Sequence, residues 1–216
     1  MSWHRARSAE QIEDRVNSII TAAAELFESH RFEDISLVMI GKRINFTRSN
    51  VYRYFDSKEE IFLHLLLKDI GVFRQALTQL PPPPDLATFC QQWLTAALNQ
   101  PRLMKLFSLL YQMLEHHATP EALFAFKRGL ASEHQQLTRL LSAWFPNAKQ
   151  VEGFLFAQLP MISGMYPLLV MSPLQQQALQ QAGLPAAQTD YRSLLSQSLM
   201  ALAHQFLAPQ VESGSE

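Results

Sequence analysis

Apolar positions along the first 80 residues recur at intervals of three and four. Ile12, Val16, Ile19, Ile20, Ala23 and Phe27 form one stripe, which predicts an amphipathic helix from about Ser8 to His30. Ser8 and Gln11 have capping-box spacing at its start. Leu37, Ile40 and Ile44 predict a short second helix capped by Ser36, and Thr47 caps a third that runs to about Tyr54. Within the third, Val51 and Phe55 lie four apart and face inward, with Phe46 ahead of them. Ser57 to Glu60 reads S-K-E-E, another capping box. It opens a fourth helix with Phe62, Leu66, Ile70, Phe73 and Leu77 on its inner side.

Pro81 to Pro84 end that helix and form a stiff extended connector. Further helical patterns follow at about 86–99, 101–117, 120–145, 148–171 and 189–208, with room for a short helix between Pro173 and Pro185. Pro160 and Pro167 are expected to kink or break the 148–171 pattern. Glycine is scarce, and β-branched runs bounded by turn residues are absent. The expected class is therefore all-α, with about nine helices. Residues 8–60 are expected to form a three-helix helix-turn-helix domain, and 61–208 a second helical bundle.

Composition adds one local signal. The formal net charge of −1 on 216 residues carries no nucleic-acid signature. Its distribution does, because residues 36–58 hold five basic side chains (Lys42, Arg43, Arg48, Arg53, Lys58) and one acid. Thr47, Arg48, Ser49, Asn50 and Arg53 fall on the outer side of the third helix. Arg pairs with guanine or phosphate, Asn with adenine, and hydroxyls with phosphate. The same residues also suit a plain solvated helix face, and the pattern alone leaves both readings open.

Other classes find less support. No Gly-rich phosphate loop or H-E-x-x-H is present, and no cysteine partners a histidine, so no enzyme, cofactor or metal site is expected. Adjacent His116 and His117 diverge on a helix and make a poor metal pair. The single Cys90 lies in an apolar helical pattern and reads as a small core residue in a reducing cytoplasm. The first fifteen residues lack the apolar region of a signal peptide. Residues 153–171 carry no charge, yet Gln158, Ser163, two prolines and the missing Lys/Arg flank favour a core or interface helix over a membrane span.

IITAAAELFESHRFEDISLVMIGKRINFTRSNVYRYFDSKEEIF, above all VYRYF followed by SKEE, resembles the DNA-binding domain of the tetracycline-repressor (TetR) family of bacterial regulators. The resemblance implies that Ser36 caps the second helix and touches phosphate, and that Lys42 and Arg43 lie near the backbone. It implies that Thr47, Arg48, Ser49 and Asn50 meet bases and phosphates. Tyr52 and Lys58 would bind phosphate, while the role of Tyr54 stays open. Arg31 stands where the family has a glycine, and so must accept a left-handed conformation or a different helix end, at about 1 kcal/mol. Asn45 replaces the turn glycine and best tolerates that conformation. Ser49 replaces a small or glycine position.

The resemblance also implies a dimerising, ligand-sensing second bundle. Phe154, Leu155, Ile162, Met165, Leu195, Leu199, Leu202 and Phe206 are the expected dimer face, as two helices from each subunit. Trp93, Phe107, Tyr111, Phe124, His134, Phe154, Met161 and Tyr166 are candidates for a pocket, although aromatics at helical spacing also build plain core. The expected protein is a cytoplasmic homodimer on double-stranded DNA, its recognition helices roughly 34–36 Å apart on a palindromic operator. A small apolar effector of unknown identity would release it. The alternatives are a helical dimer that binds DNA without an effector, and an all-α carrier or interaction module whose basic segment is incidental.

Overall fold

The predicted apolar stripes become helices, though not always with the expected ends. A computed structural model of the chain describes residues 9–184 and 189–208, and among these are ten α-helices and no strand. They are α1 (Ala9–Ser29), α2 (Leu37–Arg43), α3 (Arg48–Val51), α4 (Lys58–Thr78), α5 (Leu86–Leu98), α6 (Pro101–Leu109), α7 (Pro120–Ser142), α8 (Ala148–Leu169), α9 (Pro173–Gln181) and α10 (Tyr191–Leu207). The described residues fall into two compact units. One holds those up to Asp69 together with Leu109–Leu130; the other holds Ile70–Ser108 and those from Ala131 onward.

In the first unit α1 packs on α2, and α2 on α3. Ile19, Ala23, Phe27, Ile40, Val51 and Phe62 are almost wholly buried. Each large side chain among them contributes about 1.5–3 kcal/mol by leaving water. The Phe62 ring meets Phe27 and Phe32 edge-on at 5.1 and 5.0 Å. Ile12 is 48% exposed, contrary to its place in the stripe. The apolar spacing continues about two turns ahead of Ile19, the first residue that α1 buries, with half-buried Val16 between. Ser8, its expected cap, lies outside the described residues.

In the second unit α10 packs against α8 and α5. Trp93 sits among Phe73, Phe89 and Phe154 at centroid distances of 4.9, 5.7 and 5.4 Å. An ion pair of 2.7 Å joins Arg74 on α4 to Glu133 on α7. Asp85 caps α5 after the prolines by accepting the Thr88 N–H at 2.7 Å. Cys90 is buried among these helices, and burial pushes its thiol up to about 11.

Two boundaries differ from expectation, and one expected break does not occur. α6 gives way at Leu110–Glu115 to a wider π-helical turn, so the 101–117 pattern is not one α-helix. α7 stops at Ser142, and Trp144 and Phe145 follow in a turn closed on the Leu141 carbonyl. α8 runs unbroken through Pro160 and Pro167. A proline removes one N–H and crowds the carbonyl four residues back, here those of Phe156 and Ser163. Both prolines are exposed, as is Phe156, so water can serve the freed carbonyl. Among the described residues no single helix is long and apolar enough to cross a membrane; α8 and α9 pass that test only together, bent by 82°.

Candidate nucleic-acid interface

The basic segment is built by local capping and one tight turn. Ser36 is extended and its hydroxyl accepts the Met39 N–H at 3.3 Å, starting α2. The turn after α2 places Asn45 at φ 57°, the one positive φ outside glycine among the described residues. This is the left-handed region that Asn tolerates better than other side chains. The Phe46 N–H then donates to the Gly41 carbonyl at 2.8 Å. A Cβ on Gly41 would lie 2.8 Å from the Phe46 carbonyl oxygen, so a glycine is required for that approach. Thr47 caps α3 by accepting the Asn50 N–H at 3.3 Å.

Arg31 settles the other departure. Its φ of −72° and ψ of 152° are extended, so α1 ends without a left-handed residue and passes into a 3-10 turn at Phe32–Asp34. The S-K-E-E box forms in altered shape. Ser57 accepts the Glu60 N–H at 3.1 Å, but the Glu60 carboxylate takes the Asp56 N–H at 2.8 Å instead of that of Ser57.

α3 covers only Arg48–Val51 and then tightens into a turn through Tyr54. Val51 and Phe55 are buried behind it. Phe55 meets His64 edge-on at 5.4 Å. Burial pushes the His64 imidazole below its usual value, and nearby Glu60 opposes that shift. Thr47, Arg48, Ser49, Tyr52 and Arg53 are exposed, as are Ser36, Lys42 and Arg43, while Asn50 is half-buried. Ser36, Arg48, Tyr52 and Lys58 border one cleft, while Arg43 lines another with Glu25.

Several of them already hold partners. Arg48 Nη2 donates to the Tyr52 hydroxyl at 2.9 Å, with the guanidinium 5.2 Å from the ring centre. Arg43 pairs with Glu25 at 2.8 Å, both well exposed, a contact of about 0–1 kcal/mol. Sequence reasoning missed Glu25 because it lies 18 residues away on another helix. Lys58 Nζ donates to the carbonyls of Phe32, Glu33 and Ile35 at 2.7, 3.3 and 3.0 Å. A cleft of about 500 Å³ opens among Ser36, Val38, Arg48, Tyr52, Lys58 and Glu33.

The second unit treats its candidates differently. Trp93 and Phe154 are buried in the aromatic cluster, and Phe107, His134 and Met161 are half-buried. Tyr166 lines an open cleft of about 520 Å³ with Leu98, Leu168, Val170 and Tyr191. Tyr111 and Phe124 belong to the first unit and are exposed. Of the expected dimer face, Phe154, Leu155, Ile162, Leu195 and Leu199 are buried within the single chain. Apolar spacing cannot distinguish contacts within a chain from contacts between chains. Met165, Leu202 and Phe206 keep partial exposure, and Phe156 on the other side of α8 is 81% exposed.

A capped, tightly turned helix pair with a basic polar face defines the class of helix-turn-helix DNA-binding regulators. Residues 19–65 match the family described as bacterial regulatory proteins, tetR family, and residues 70–209 match the tetracyclin repressor-like C-terminal domain. The chain belongs to the TetR family of transcriptional regulators, with a DNA-binding N-terminal part and a tetracyclin repressor-like C-terminal domain. No curated protein matches it in sequence. The fold is shared with a possible TetR family regulator from Streptomyces coelicolor A3(2), at TM-score 0.58 and 17% identity over 89% of this chain and 98% of that one. It is also shared with Thermus thermophilus FadR, a TetR family repressor solved with lauroyl-CoA, at TM-score 0.56 and 16% identity over 94% and 100%. A fatty acid degradation regulator, FadR of Bacillus halodurans, matches at TM-score 0.52 and 14% identity over 91% and 96%.

Proposed function

We propose that this chain is a cytoplasmic, homodimeric repressor that binds a palindromic operator and leaves it when a small, largely apolar molecule binds. Residues 8–60 read DNA through Ser36, Lys42, Arg43, Thr47, Arg48, Ser49, Asn50, Tyr52 and Arg53, with Lys58 belonging to the same site. Residues 61–208 dimerise and hold the effector. The observation that carries this reading is the outward row Thr47–Arg53 over buried Val51 and Phe55. The effector acts by population shift, favouring a dimer whose recognition helices are wrongly spaced.

Exposed Phe156 supports a second copy covering the outer side of α8, along which Pro160, Gly164 and Pro167 are exposed as well. The likeness to a FadR solved with lauroyl-CoA makes acyl-CoA thioesters a first probe for the effector. The test is to let the wild-type protein select duplexes from a randomised pool. The selected duplexes should be palindromic, and log affinity should fall linearly with log salt. Replacing Tyr52→Phe together with Arg53→Ala should weaken binding at least tenfold; unchanged affinity sinks the DNA-binding surface as assigned.

The packed rings around Trp93 favour a second reading, in which the C-terminal part only dimerises. Release of a selected duplex by lauroyl-CoA at micromolar concentration would eliminate it.

A further inference from the structure

Lys58 stands where the family resemblance puts a phosphate ligand, yet its ammonium group is fully engaged elsewhere. An ammonium has three N–H donors and no acceptor. Three backbone carbonyls take them, those of Phe32, Glu33 and Ile35, at 2.7, 3.3 and 3.0 Å. The same nitrogen lies 4.3 Å from the centre of the Phe32 ring, within cation–π range. The side chain is half-buried, and Phe32 and Ile35 beneath it are buried.

These carbonyls belong to the 3-10 turn and its end. That of Phe32 also accepts the Ile35 N–H at 3.2 Å, and Lys58 gathers it together with those of Glu33 and Ile35. A cation placed there satisfies them as a helix C-cap does. The last of them, Ile35 O, belongs to the peptide unit whose N–H is that of Ser36. The peptide is planar and trans, so fixing the carbonyl also fixes the direction of the Ser36 N–H. Ser36 then starts α2 and borders the cleft that contains Arg48 and Tyr52.

We propose that Lys58 is a positioning residue that clips the Phe32–Ile35 carbonyls to the start of α4 and so holds Ser36 and the entry to α2 in DNA-binding geometry, without itself neutralising a phosphate. This rests on the reading of the basic surface as a DNA interface. A phosphate contact would require Lys58 to give up all three carbonyl contacts, including the part-buried ones to Phe32 and Ile35.

The test compares wild type with Lys58→Met, which keeps the alkyl stem and removes the donors. Both are titrated with a duplex that the wild-type protein selected from a randomised pool, across a range of salt and well below the melting temperature of each. The expected result is about a tenfold loss of affinity with an unchanged salt slope. A slope shallower by roughly 0.9 per bound subunit would show a lost phosphate contact and overturn the proposal. A lower melting temperature with unchanged affinity would also overturn it, since the residue would then only stabilise the fold.

If Lys58→Met does not fold, the wild-type protein labelled at lysine nitrogen still decides. The Lys58 ammonium should keep its scalar couplings to backbone carbonyl carbons when the duplex is added, and a new coupling to DNA phosphorus would refute the clip. If the wild type selects no duplex at all, the DNA-binding reading fails, whereas the clip in the free protein is still seen or not seen by the same labelling.

Discussion

The two units cap their helices equally well and differ in what their faces meet. Ser36, Thr47 and Ser57 close helix starts in the first unit, and Asp85, Asn147, Ser172 and Asp190 do so in the second. Around the helix-turn-helix the faces are finished by the chain itself. Val51, Phe55 and Phe62 are buried, and no described residue of the first unit has a buried side-chain polar atom without a partner. Among its described residues the second unit buries four such atoms, on Gln92, Trp93, Thr138 and Ser142, and leaves Phe156 and Leu174 largely exposed. A buried polar group without a partner costs about 1–3 kcal/mol, and a large exposed apolar side chain gains nothing from folding. The helix-turn-helix core is thus closed by its own chain. Elsewhere in the first unit Tyr111 and Phe124 are exposed. The second unit adds unmet polar groups to its exposed Phe156 and Leu174, as a region that a partner or ligand can complete.

The sharpest way to break this contrast is to damage the finished half. Phe62→Ala removes a fully buried ring that touches Phe27 and Phe32. Urea unfolding should show a loss of about 3–5 kcal/mol, and a loss below 1 kcal/mol would mean that this core is looser than described.

On the unfinished side, Phe156→Glu should leave the stability of the isolated chain within about 0.5 kcal/mol, because the ring is 81% exposed. If a second copy covers it, sedimentation equilibrium should show dimerisation weakened by at least 2 kcal/mol. An unchanged dimer would place the interface elsewhere.

Gly41→Ala tests whether the turn is as tight as it looks. The added Cβ would stand 2.8 Å from the Phe46 carbonyl oxygen and 3.2 Å from Val51 Cγ2. Backbone has little room to yield, so a loss of about 1–3 kcal/mol is expected by chemical denaturation. A silent substitution would show that α2 and the turn can separate without cost.

Local chemistry explains why the first unit was the more legible in the sequence. Ser36, Thr47 and Asn45 act within a few residues of themselves, so their caps and the turn can be read from spacing. Lys58 acts 23 to 26 residues away, and Arg43 reaches Glu25 on another helix, which no spacing rule announces. Leu195 and Leu199 form the predicted stripe, yet a stripe says that a face is covered and not by what. They are buried within their own chain. Pro160 and Pro167 do not break α8, because both are exposed on a helix that packs against α10.

The smallest expected effect concerns His64, half-buried behind α3 and edge-on to Phe55. Burial makes its protonation less favourable in the folded chain than in the unfolded one, and Glu60 only partly restores it. Above the unfolded value of about 6.5 both states are neutral and the residue adds no pH dependence. As pH falls below that value the unfolded chain takes up the proton first, so stability declines until the folded pKa is passed. Carboxylates also weaken folding in acid, so the quantity to measure is the difference between wild type and His64→Gln. Urea unfolding at pH 8 and pH 5 should show wild type losing more stability than the variant over this interval. Parallel losses would mean that water reaches the imidazole freely, and that the helix-turn-helix core is less closed than its burial indicates.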